Sequence, residues 1–506
     1  MKRRSDRRRP PPHPAPPVAG EPLRLLIVRG IAWKSIGQVG VQITRLGVAL
    51  ALARILAPEE YGLAGMALVF GSFVLIFSDL ALGQAIVQRR SLTAADKATA
   101  FWTSVLAGTT FTVLGITLSG PVSAFFGEPE LRPMIATLSL SFLISSIGTT
   151  QSALLVREMA FRSLEIREIV ATAAGAAAAI AVALTGVGAW AIIAQQLALS
   201  TTSTLLVWLY SSWRPCGVFS RESLRAFAGY SANVLGTNTL SQLRSTTDNA
   251  LIGRFLGTSS LGAYALAYNV ILVPFNRIAV PIAQVLFPAM SRLQDEPALV
   301  AEYWRRSIRL VAALAMPTIV GLILVAPDFV AVALGPKWLE AVPVIQLLGV
   351  VGLLQTLQFL NPIVLQALDR TALLFRWTLF SYAAAVTAFV IGLRWGIVGV
   401  ATAFAVSASI TEPAYAWLTG RLLGVSLRRL ARDLAGIGQA TAGMAAAVLP
   451  IRILLLQAGI GPAPRLGVEV VVGAVVFAAL CRWRAPVVID EVRRLRKQPA
   501  VGATAP

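Results

Sequence analysis

Residues 54–62, Arg54-Ile55-Leu56-Ala57-Pro58-Glu59-Glu60-Tyr61-Gly62, close one apolar stretch and open the next; 200 positions later Arg254-Phe255-Leu256-Gly257-Thr258-Ser259-Ser260-Leu261-Gly262 do the same. Ala67 recurs as Ala267 and Gln42 as Gln242 in the same register. The segments around these turns are long enough to cross the roughly 30 Å core of a bilayer, for which about 20 helical residues suffice. They fall at 26–53, 61–88, 98–120, 132–156, 168–185, 187–210, 226–252, 260–288, 308–326, 340–363, 372–393, 397–420, 434–457 and 466–483. Six lie in each repeat, and an even number returns the chain to the side it left. The two copies therefore share one orientation, related by an axis along the membrane normal. The expected fold is an all-α polytopic membrane protein of about 14 transmembrane helices. Two parallel-repeat six-helix lobes make up most of it, with two C-terminal helices added. The expected organisation is an arm over residues 1–24, an N-lobe over 25–212, a C-lobe over 213–424, the added pair over 425–484 and a tail over 485–506.

Composition agrees. The 506 residues are 56% hydrophobic, with a mean hydropathy of +0.72. A transmembrane barrel would instead show short alternating segments. The net charge of +20 does not point to nucleic acid, because no compact basic domain collects it. It sits in short loops, where it reports topology. On one side lie Arg89, Arg90 and Lys97; Arg157, Arg162 and Arg167; Arg214, Arg221 and Arg225; Arg292, Arg305, Arg306 and Arg309; Arg370 and Arg376; Arg421, Arg428, Arg429 and Arg432; and Arg493, Arg494, Arg496 and Lys497 in the tail. The other side has Arg54, Arg132, Arg254, Lys337, Arg394 and Arg465. The positive-inside rule then puts both termini in the cytoplasm and the protein in the cytoplasmic membrane. An interfacial belt is expected from Trp190, Trp338 and Trp395 at the outer edge and Trp102, Trp304, Trp377 and Trp417 at the inner edge.

Cys216 and Cys481 are the only cysteines and His13 the only histidine. That excludes a disulfide framework, a cysteine or histidine metal site and histidine-based catalysis, so no metal or cofactor is expected. The basic, proline-rich start, Lys2-Arg3-Arg4 and Arg7-Arg8-Arg9 followed by prolines, reads as a disordered cytoplasmic arm that touches anionic lipid heads. It is not a cleaved signal: the first span is long and carries Lys34 and Arg45. A Walker A phosphate loop is absent from the sequence, which argues against ATP hydrolysis.

The few charges inside the spans are the candidate site. In the first span Lys34, Gln38 and Arg45 fall within about 40° of one another around the helix, with Gln42 beside them. Arg45 lies near mid-membrane, where a lone charge costs about 2.5–3.5 kcal/mol on the lenient insertion scale, so the stripe should face a wet cavity. The competing reading makes Lys34 a snorkelling side chain and Arg45 a structural residue paired within the bundle. The seventh span, its repeat mate, holds Asn233, Asn238, Ser241, Gln242, Arg244, Ser245, Asp248 and Asn249. Arg244 and Asp248 are spaced for an intrahelical ion pair, and Arg244 stands one register from the counterpart of Arg45. Arg277 follows in the eighth span among Pro274, Pro281 and Pro288, whose spacing bends the helix in one sense, as a gate or as static curvature. Asp79 reads as structural. Glu412, before Pro413, is a coupling candidate or an interfacial carboxylate. Lys34, Arg45, Arg244 and Arg277 thus form a candidate cationic vestibule, supported by Gln38, Gln42, Asn238, Asp248, Asp79 and Glu412.

A series of short stretches carries a family resemblance. These are Arg29-Gly30-Ile31-Ala32-Trp33; Ala51-Leu52-Ala53-Arg54 through Gly62; Ser78-Asp79-Leu80-Ala81-Leu82-Gly83; Val87-Gln88-Arg89; and Phe126-Gly127-Glu128-Pro129-Glu130-Leu131. The second half adds Asp248-Asn249-Ala250-Leu251-Ile252-Gly253-Arg254-Phe255-Leu256-Gly257, Leu286-Phe287-Pro288-Ala289-Met290-Ser291-Arg292-Leu293 and Gly335-Pro336-Lys337-Trp338. In this order they resemble the polysaccharide transporter family of Wzx-type lipid-linked oligosaccharide flippases. That family includes the colanic acid and exopolysaccharide exporters, within the multidrug/oligosaccharidyl-lipid/polysaccharide (MOP) superfamily. The resemblance implies two lobes in a V, alternating access, no catalysis and a polyprenyl-diphosphate-linked oligosaccharide as substrate. It implies membrane lipids as surroundings, with polysaccharide polymerase and glycosyltransferases as partners. Two other functions compete. A MATE-like multidrug antiporter would want a carboxylate-dominated cavity, and a membrane glycan polymerase or ligase would want a sizeable outer loop.

Overall fold

The computed structural model describes residues 40–42, 44–79, 92–158, 160–225, 246–271 and 296–486, with positions 82, 83, 86, 242, 286, 290 and 293. Among the described residues there is no strand. The helices are α1 (Pro58–Asp79), α2 (Ala94–Phe126), α3 (Leu131–Arg157), α4 (Phe161–Leu184) and α5 (Trp190–Tyr210) in the first half. The second half has α6 (Pro297–Phe329), a π-helical turn (Val330–Leu334), α7 (Val342–Gln355), α8 (Asn361–Ala367), α9 (Thr371–Gly392), α10 (Gly396–Leu422), α11 (Leu427–Gln457) and α12 (Pro462–Arg484). Two further helical stretches cover 44–55 and 246–271. Nine stretches of the described residues are apolar and long enough to span a bilayer. One of them, residues 371–422, doubles back at Leu393–Trp395 and so crosses twice. This is the architecture lipid demands, since a helix satisfies its own backbone where no water can.

Local chemistry sets the ends. Thr93 and Asp96 form a reciprocal capping box at the start of α2: the Asp96 N–H donates to Thr93 Oγ1 at 3.1 Å and the Thr93 N–H donates to Asp96 Oδ2 at 2.9 Å. The same carboxylate holds the connection between the halves, because Ser223 Oγ donates to Asp96 Oδ1 at 2.7 Å. Trp102 Nε1 donates to the Cys216 carbonyl at 2.9 Å, and the Ser220 N–H to Thr99 Oγ1 at 2.9 Å. Residues 213–223 are thereby strapped to the end of the first half that carries Asp96.

The apolar cores are unevenly shared. At the end carrying Arg54, one core takes Leu52, Leu56, Met66 and Ile135 from the first half with Ile252, Leu261, Trp338 and Ile345 from the second. Towards the Asp96 end the cores separate: Leu82, Ile86, Ala100 and Leu154 form one, and Trp304, Ile308, Leu360 and Leu434 belong to another. Among the described residues, the apolar core that both halves share lies at the Arg54 end.

Two features depart from the sequence reading. Trp304 and Trp338 are 0% and 1% exposed, so they are core residues and not belt residues. Each buries its ring because a partner takes its N–H: Asn361 Oδ1 at 3.0 Å for Trp304 and the Ala53 carbonyl at 2.6 Å for Trp338. Trp102, Trp395 and Trp417 are exposed as expected. The expected single span over 340–363 is interrupted between α7 and α8.

The last two helices are fastened to α6 by charge. Near the Asp96 end Arg305 grips Asp433 with two bonds, one of 2.8 Å, and Arg309 lies 3.9 Å away. Asp433→Ala takes from the half-buried Arg305 guanidinium the carboxylate it holds with two bonds, and we expect a loss of about 2 kcal/mol. Thermal unfolding in detergent reads this as a lowered midpoint; an unchanged midpoint would show the fastening to be idle.

Candidate functional site

The two halves cross at Gly62 of α1 and Gly262, and the contact is reciprocal. A Cβ on Gly62 would run into the Thr258 carbonyl, and one on Gly262 into the Pro58 carbonyl. The offset of 200 seen in the sequence is thus an approximate two-fold relation in space. Only glycine lets two helix backbones come this near.

Around the crossing each half caps a helix of the other. The last carbonyls of a helix lack intrahelical partners and carry its negative end. Those of stretch 44–55 are taken from across the interface: Lys337 Nζ donates to the Arg54 carbonyl at 2.9 Å, and Trp338 Nε1 to that of Ala53. In return Arg54 Nε donates to the Ala333 carbonyl at 3.1 Å and its Nη2 to that of Val332, both in the π-turn ending α6. The repeat mate, Arg254, reaches the first half differently, with its guanidinium 5.6 Å from the Phe125 ring centre. Tyr61 meets Trp338 edge-on at 5.7 Å. Together these contacts make a latch.

Arg45 lies nine residues, about 14 Å along a helix, from Arg54 towards the Asp96 end. It donates from Nη2 to Glu168 Oε1 at 2.9 Å. Arg167 stands 3.8 Å from the other Glu168 oxygen and donates to Ser152 Oγ at 2.9 Å. The side chains of Arg45 and Glu168 remain 37% and 29% exposed, so this pair is not shut in a dry seam.

A model of the polysaccharide biosynthesis protein family matches residues 51–343, more than half of the chain. The lipopolysaccharide biosynthesis protein WzxC of Escherichia coli (strain K12) is 30% identical over 387 residues, 76% of this chain and 78% of that protein. This chain belongs to that family. The fold is similar to that of solved transporters: the lipid II flippase MurJ in an inward closed conformation superposes with a TM-score of 0.68 at 14% identity, covering 90% of this chain and 99% of that one. An inward-facing multidrug resistance MATE transporter gives 0.59 at 14% identity, over 78% and 98%.

Of the site residues expected in this family member, Arg45 is placed as above and Gln42 is half-buried on the same stretch. Lys34, Gln38, Asn238, Arg244 and Arg277 lie outside the described residues. Asp79 is the last residue of α1. Asp248 is buried; it accepts the Asn249 N–H at 2.8 Å and the Tyr264 hydroxyl at 3.2 Å. Glu412 is half-buried on α10. Among the described residues no cluster suited to a metal occurs.

Sequence reasoning missed Glu168 as the partner of Arg45 and the carboxylates around α11 and α12. Arg452 and Glu469 were visible as charges within predicted spans, the one signal that pointed there.

Proposed function

We propose that this protein flips polyprenyl-diphosphate-linked oligosaccharide repeat units across the cytoplasmic membrane by alternating access, for surface polysaccharide synthesis. The observation that carries the reading is Arg45, part-exposed within a span expected to cross the bilayer, in a member of the polysaccharide biosynthesis family whose shared core, among the described residues, lies at the Arg54 end. By the positive-inside rule the Arg54 end faces outward and the termini are cytoplasmic. The separated cores then face the compartment where lipid-linked units are assembled. A diphosphate cannot enter hydrocarbon, but Arg45, with Lys34, Arg244 and Arg277, replaces part of its water. Each such contact is worth about 4 kcal/mol at an effective dielectric near 20 before desolvation. The prenyl tail stays in lipid while residues 25–212 and 213–424 rock around the head, with 425–484 riding on the second lobe. Nothing in this cycle makes or breaks a covalent bond, so the protein is not an enzyme. Glycosyltransferases supply its substrate and a polymerase consumes its product.

The test is reconstitution in liposomes carrying a polyprenyl-diphosphate oligosaccharide, with an impermeant glycosidase added outside. Protein-dependent loss of the inner half of the labelled glycan is the expected result. Protection equal to that of empty liposomes, with the protein correctly inserted, would overturn the proposal.

A further inference from the structure

The end of α6 lacks one bond of its own ladder, although the Val330 N–H still reaches the Ala326 and Pro327 carbonyls. Pro327 has no N–H for the carbonyl of Ile323, which instead accepts Gln346 Nε2 of α7 at 3.2 Å. One residue on, the Leu324 carbonyl accepts Arg452 Nη1 of α11 at 2.9 Å. Beyond lies Asp328, 1% exposed, gripped by two cations from the C-terminal helix pair. Arg452 Nη1 is 2.7 Å from its Oδ2, and Arg465 Nε of α12 donates to its Oδ1 at 2.9 Å. Buried Glu469 lies 3.4 Å from Arg452 and balances the cluster at two positive and two negative charges. The π-turn starts two residues after Asp328, and the carbonyls of Val332 and Ala333 within it accept Arg54 of the other half. π-Turns recur at functional sites.

We propose that the C-terminal helix pair controls the latch between the halves. Asp328, Arg452 and Arg465 act as positioning residues that aim the π-turn carbonyls at Arg54. With one ladder bond missing at Pro327, the grip of α11 and α12 on Asp328 adds to the backbone in setting the direction of the turn. Loosening that grip therefore releases the Arg54 end without touching a residue of the latch. This assigns a role to helices that the repeat does not contain, and it holds whatever the substrate.

The experiment uses the full-length chain in lipid nanodiscs, with Cys216 and Cys481 replaced by serine. Spin labels go at Val187 and Leu339, exposed positions in the first and second halves. Electron spin resonance distances give the ratio of closed to open separations. Arg54→Gln should lower that ratio roughly tenfold, the scale of a hydrogen bond to a charged group. The charge-balanced pair Asp328→Asn with Arg465→Gln should lower it as much. All three substitutions together should lower it no further, because one linkage is cut twice. Asp433→Asn, which removes the ion pair between α11 and α6 at the opposite end, should leave the ratio alone. If the balanced pair does not insert, Glu469→Gln gives a smaller fall in the same direction. A wild-type ratio in the balanced pair, or in Glu469→Gln if that variant replaces it, overturns the proposal. So does an effect that multiplies with that of Arg54→Gln.

Discussion

Replacing Gly262 with leucine sharply lowers transport while the protein still inserts and stays helical. The side chain must occupy space held by the Pro58 carbonyl, and a Cβ would also stand 3.1 Å from the Gly62 nitrogen. Backbone cannot yield as a flexible side chain does, so the helices separate and the latch around them opens. Overpacking costs typically 1–3 kcal/mol, and here all of it falls on the state in which the Arg54 end is closed. A chain that closes one end poorly alternates poorly, and transport should fall by roughly tenfold to a hundredfold, the range that such a cost implies, measured as glycan accessibility in liposomes. Gly62→Leu should match it, since the contact is reciprocal. Normal transport in either variant would mean that the crossing is not part of the cycle.

The second large effect concerns Arg45. Arg45→Ala should abolish transport, because in the proposed cycle this guanidinium replaces part of the water around the diphosphate. Glu168→Gln should reduce transport only several-fold: the cation survives and loses one orienting partner 2.9 Å away. The double variant Arg45→Ala with Glu168→Gln separates the two readings of this pair. A structural fastener would be rescued, since breaking a pair leaves an uncompensated charge that removing both does not. A vestibule arginine would not be rescued. Activity restored in the double variant would therefore refute the vestibule role, and continued inactivity with wild-type thermal stability would support it.

The fold was legible because its signals are local or periodic. The length of each span follows from bilayer thickness, and the predicted spans at 132–156, 372–393 and 397–420 lie within a few residues of α3, α9 and α10. The repeat was legible because Gly62 and Gly262 occupy corresponding places and no other residue fits there. The site was less so. Arg45 stood out as a costly charge, but its partner Glu168 is 123 residues away, and no periodicity connects them. Trp304 and Trp338 misled because an amphipathic ring suits a membrane interface and a core hydrogen bond equally well; only the position of Asn361 and the Ala53 carbonyl decides between them.

By itself the amino-acid order determined that this chain crosses a membrane many times, that it is built from two like halves, and which charges are too expensive to sit there idly. These follow from the thermodynamics of single residues in lipid. Only the tertiary structure decided that the halves share a core at the Arg54 end, that Arg54 caps a helix of the opposite half, and that Asp328 ties the last two helices to that contact. Such pairings depend on the packing of segments hundreds of residues apart, and a helix end shows what it lacks but not who will supply it.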